Sequence, residues 1–164
     1  MRRYLTIKGS TLIEIITVLA VLGVLGGIIY TVFITNWMAT EDRISRAGML
    51  YETEVIFDSL SKEGRNAHQI DVSQDPGALT QTATFRSDLT SPSSDVIYTM
   101  TNQGKLFIQN PRNSNPIVMT EHLDFARSSF EKEGKTLKFK LGLKDQIFMR
   151  SIDVTAASEV YPRN

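Results

Sequence analysis

The hydrophobic pattern divides the chain into three textures. From Ile15 to Ile34 every position is apolar or uncharged, a run of 20 residues. At helical rise such a run spans ~30 Å, the thickness of a bilayer's hydrocarbon core. Beyond it a helical period takes over. Trp37, Ile44 and Tyr51 recur every seven residues, and Met38, Ala47, Val55 and Leu60 widen the same stripe. Glu41, Asp42, Arg43, Arg46, Glu52, Glu54 and Asp58 fill the remaining positions. This spacing predicts a stripe that packs on a domain, with Trp37 and Tyr51 as core side chains. No proline interrupts the chain between Met1 and Asp75. One helix is therefore expected from about Thr11 to about Lys62 or a little beyond, with Gly64 or the Arg65–Asn66 region as its stop.

From Ile70 the texture changes again. Residues 71–94 are rich in Ser, Thr, Asp, Pro and Gly, and Asp75-Pro76-Gly77 and Ser91-Pro92-Ser93-Ser94 are turn signals. A short strand is expected at 82–89, and clearer ones at 96–101 and 105–110. Asn102-Gln103-Gly104 reads as the hairpin between the latter two. Residues 111–116 form a loop, and 117–119 and 123–125 read as short extended pieces. Leu137, Phe139, Leu141 and Leu143 alternate with Lys138 and Lys140. Phe148, Arg150, Ile152 and Val154 alternate with Met149, Ser151 and Asp153. Both are half-buried strands in pattern. The fold class that follows is α+β: a long N-terminal helix, spanning a membrane in its first half, packed on a small antiparallel β-sheet. The expected division is 1–9 leader, 10–34 membrane helix, 35–67 amphipathic continuation and 68–164 sheet domain.

Charge orients the apolar run. Arg2, Arg3 and Lys8 precede it, and Glu41 and Asp42 are the first charges after it. The positive-inside rule then puts the N-terminus in the cytoplasm and the sheet domain outside. Tyr30 and Trp37 fall where an interfacial aromatic belt would sit. A secretory signal peptide has a shorter apolar run followed by a small-residue cleavage site, which this run lacks. Without the first three positive residues the chain holds 15 basic and 18 acidic residues, a net charge of −3. No basic surface suggests a nucleic-acid partner.

Lys8-Gly9-Ser10-Thr11-Leu12-Ile13-Glu14 stands directly before the run. A short basic leader ending in Gly, then a small residue and Thr-Leu-Ile-Glu, resembles the processing site of type IV prepilins. The resemblance continues through the apolar helix and into the helix-then-strands layout, which is similar to minor pilins and type II secretion pseudopilins. It implies cleavage by a membrane-embedded prepilin peptidase between Gly9 and Ser10. It also implies N-methylation of Ser10 and a role for Thr11 and Glu14 in assembly. The family usually carries Phe where this chain has Ser10, and major pilins often carry a proline where it has Thr31. The second difference points to a minor subunit. Implied partners are other pilin-like subunits, the peptidase, an inner-membrane assembly platform and membrane lipid. No cofactor is implied.

Residue chemistry supplies a second account of each feature. Thr11 and Glu14 fit an S/T-x-x-E capping box, and Glu14 suits the positive end of the helix dipole. A carboxylate at the head of a membrane helix also costs ~2.5 kcal/mol or more, so it is usually partnered or functional. The amine freed by cleavage, with a pKa of about 8, is a natural partner in a neighbouring subunit. Both accounts can hold together. Gly23, Gly26 and Gly27 form either a close-packing face between membrane helices or a point of local loosening.

Enzymatic signals are absent from the sequence. It has no cysteine, which excludes disulfides, thiolate metal sites and a Cys nucleophile. His68 and His122 have no acid or nucleophile at motif spacing. Asp71 with Asp75, or Asp88 with Asp95, could offer calcium ligands, but no D-x-D-x-D loop is present and no metal site is assigned. The expectation is a structural, non-enzymatic filament subunit. The alternative is a single-pass, membrane-anchored extracytoplasmic binding domain without a filament role.

Overall fold

A computed structural model describes residues 12–91, 94–111, 113, 115–147 and 150–162. The N-terminal element is a single 55-residue helix, α1 (Leu12–Asn66). Eight strands follow: β1 (Gln69–Asp75), β2 (Thr80–Arg86), β3 (Val96–Thr101), β4 (Leu106–Gln109), β5 (Ile117–Thr120), β6 (Ser129–Glu133), β7 (Thr136–Ile147) and β8 (Arg150–Val160). They are α+β in the expected order, helix first and antiparallel strands after. The strands divide between two sheets rather than one. β1 to β5 form a five-stranded meander, and β6 to β8 form a three-stranded one. The chain comprises two compact units, Met1–Glu41 and Asp42–Asn164.

Within the second unit, α1 packs through Met49, Thr53, Ile56, Leu60 and Gly64. These residues follow the 3–4 spacing of one helix face. Residues beside this face reach both sheets. Phe57 meets Phe139 of β7 edge-on at 4.8 Å. Ser59 shares a 2.8 Å hydrogen bond with the Tyr98 hydroxyl of β3. The Thr120 hydroxyl donates to Glu52 at 2.8 Å. Full burial of Ile56 and Leu60 contributes ~1.5–3 kcal/mol each. Thr53 is buried too, but its hydroxyl is satisfied by the Met49 carbonyl at 2.8 Å.

The stripe expected to enter the core is not the one that does. Trp37, Ile44 and Tyr51 are 53%, 63% and 69% exposed, and Val55 is exposed as well. Of the expected stripe, Leu60 alone is buried. At 100° per residue, the stripe of Ile44, Tyr51 and Val55 lies about 150° around the helix from the buried face. The seven-residue spacing marks a real apolar face, but the sheets cover the opposite one. The buried face was hidden in sequence because a threonine and a glycine sit within it.

The sheets refine the strand expectations. β3 buries Val96, Tyr98 and Met100, and β7 buries Leu137, Phe139, Leu141 and Leu143. In both strands the buried residues alternate as the sequence pattern required. β7 and β8 are longer than expected and pair without a break from Leu137↔Val160 to Ile147↔Arg150. The expected alternation began at Phe148, which with Met149 lies outside the described residues. The β3–β4 hairpin forms, with Gly104 at φ +81° and the Thr101 amide donating to the Lys105 carbonyl at 3.0 Å. β1 and β6 were not foreseen. Each is an edge strand in its sheet. Each sends one side chain, Ile70 or Phe130, fully into the core, so their sequences look like polar loops. The two edges meet where Lys132 of β6 pairs with Asp71 of β1 at 3.1 Å, and the Phe130 amide of β6 donates to the Gln81 side chain of β2 at 3.0 Å. The extended piece expected at 123–125 is only a bridge, Leu123↔Leu143. Asp124 then accepts from the Ala126 amide and caps a single 3-10 turn, Phe125–Arg127.

The helix stops at Asn66, in the Arg65–Asn66 region that is one of the two expected sites, and not at Gly64. Gly64 is a contact point inside the helix, where a Cβ would stand 2.0 Å from Val160 Cγ1 and 3.1 Å from Val160 Cβ. Gly64→Ala should therefore destabilise the full chain by about 1–2 kcal/mol, overpacking outweighing the gain in helix propensity. Thermal melting of the detergent-solubilised protein checks this.

Tyr98 supplies a pH signature. Burial raises its phenol to about 12, against the Ser59 hydrogen bond, which lowers it, while the nearby Glu63 raises it further. Above pH 10 the unfolded chain loses this proton while the folded chain keeps it. Stability present below pH 10 is thus lost as pH rises toward 12, by roughly 2–3 kcal/mol. Denaturant titrations across that window should show a shallower loss for Tyr98→Phe than for the parent.

Candidate functional site

The first half of α1 carries the residues on which a functional reading turns. Of these, Gly9, Ser10 and Thr11 lie outside the described residues. Glu14 sits in the first turn of α1 and is exposed. Its negative charge therefore stands at the end of the helix where the macrodipole is positive. From Leu12 to Phe33 no apolar side chain is buried: Leu12 is 73% exposed and Ile15, at the lower end, 49%. This segment makes α1 long and apolar enough to cross a membrane, near the N-terminus.

Its polar groups suit such a surrounding. The hydroxyls of Thr17 and Thr31 each donate back to the carbonyl four residues earlier, Ile13 and Gly27, at 2.8 Å. Thr35 and Thr40 repeat the arrangement toward Thr31 and Asn36. A hydroxyl satisfied within its own helix loses little on leaving water. Phe33 and Trp37 stack obliquely, ring centres 6.0 Å apart, at the polar end of the run. The glycines are open. A Cβ built on Gly23, Gly26 or Gly27 meets no atom within 4 Å. Among the described residues, then, these glycines serve no contact within the chain.

The sheet unit brings together polar residues that no spacing could have linked. Ser45 of α1 donates to Asp145 of β7 at 2.9 Å, and His122 Nδ1 lies 3.8 Å from the same carboxylate. Serine, aspartate and histidine thus meet, but in the wrong order for nucleophile activation. The hydroxyl faces the carboxylate, and the imidazole is not positioned as its base. Arg150 adds a 3.4 Å contact to Asp42 nearby. These contacts tie α1 to the β7–β8 hairpin.

The aspartates weighed as calcium ligands are engaged elsewhere. Asp71 accepts from Gln69 and pairs with Lys132 and Arg86, and the Gln69 bond leads in holding its carboxyl below the usual range. Arg86 also reaches Asp95 at 3.6 Å. Asp75 caps its turn through the amides of Gly77 and Ala78. Asp88 is likewise lowered, chiefly by the Thr90 hydroxyl. Among the described residues no three His or acidic side chains gather in a metal-binding group.

The exposed apolar face of α1 beyond the membrane-sized run was the feature misread in sequence. It comprises Ile44, Tyr51 and Val55, with Gly48 between them. No family model, curated protein or solved structure matches this chain.

Proposed function

We propose that the chain is a structural subunit, of minor pilin or pseudopilin type, of a type IV pilus or type II secretion pseudopilus. The observation that carries this reading is the division of labour along α1. One helix bears an uncovered, charge-free run sized for a bilayer, headed by Glu14. The same helix continues into a half that packs an antiparallel sheet unit through a single face. A simple anchor needs the first feature but not a helical continuation that packs the sheet unit, nor the Lys8-Gly9-Ser10-Thr11-Leu12-Ile13-Glu14 pattern that precedes it.

In this reading the leader stays cytoplasmic and the sheet unit is extracytoplasmic. Prepilin peptidase cuts after Gly9 and methylates Ser10. The uncovered run anchors the subunit in the membrane, then becomes part of the filament core. Glu14 pairs with the N-terminal ammonium of a neighbouring subunit, and each charge offsets the other's desolvation. Gly23, Gly26 and Gly27 let neighbouring helices approach closely. No enzymatic step and no cofactor enter this role.

Mass spectrometry of the membrane-extracted protein should find a chain beginning at N-methylated Ser10. A chain retaining Met1 would overturn the filament reading in favour of a plain anchored domain. Glu14→Ala should still insert in the membrane. Removing one member of a buried charge pair costs about 3 kcal/mol or more, so its incorporation into filaments should fall about a hundredfold. Sheared-filament immunoblots against the membrane fraction measure that ratio.

A further inference from the structure

We draw no further inference here: the strongest candidate, the exposed apolar face of α1 at Ile44, Tyr51 and Val55, carries none because nothing in the structure shows what covers it.

Discussion

The sheet unit depends on one helix face, the line of Met49, Thr53, Ile56, Leu60 and Gly64, meeting two sheets at once. The five-stranded sheet reaches residues beside that line, Tyr98 at Ser59 and Thr120 at Glu52; the three-stranded sheet reaches Phe57 through Phe139 and Gly64 itself through Val160. Neither sheet has a second layer of its own among the described residues, so the helix supplies the shared apolar wall. The missing side chain at Gly64 is part of that fit, because Val160 of the last strand occupies the space a methyl would fill. The last residues of the helix and the last residues of the sheet are thereby held together.

This arrangement leaves α1 with three kinds of surface. One face of its second half is buried under the sheets. The other face of that half is apolar at Ile44, Tyr51 and Val55 yet open. The first half is apolar on all sides and its polar hydroxyls are closed on the helix's own carbonyls. A helix with its large apolar residues in water is costly. In the proposed role, lipid answers that cost for the first half. That role follows from where this one helix is left uncovered.

Polar contacts then set how α1 meets the sheets. Ser45 with Asp145, Glu52 with Thr120 and Ser59 with Tyr98 bond the helix to the strands at successive heights. The Lys132–Asp71 pair joins the two sheet edges, and the Phe130–Gln81 bond ties β6 to β2. Each is modest alone, but they fix direction, which apolar packing does not. The same contacts also occupy carboxylates that, by composition, could have been taken for ligands.

The sequence by itself determined the long helix, its membrane-sized run and its orientation charges. It also determined a strand at β3, the alternation of β7 from Thr136 to Leu143 and that of β8 as far as Val154. Those features are local: a helical or two-residue period is written into neighbouring side chains. The leader pattern around Gly9 is also local, and it remains a matter of sequence, since it falls outside the described residues. Tertiary structure decided what is not local. It made edge strands of β1 and β6, whose one buried residue apiece is too weak a period to read. It brought Ser45, His122 and Asp145 together from distant parts of the chain. It also chose between two faces of the same helix. A helical period shows that a face is apolar, but not what will cover it. The sheets took the face whose glycine admits Val160, and the stripe of Ile44, Tyr51 and Val55 stayed exposed.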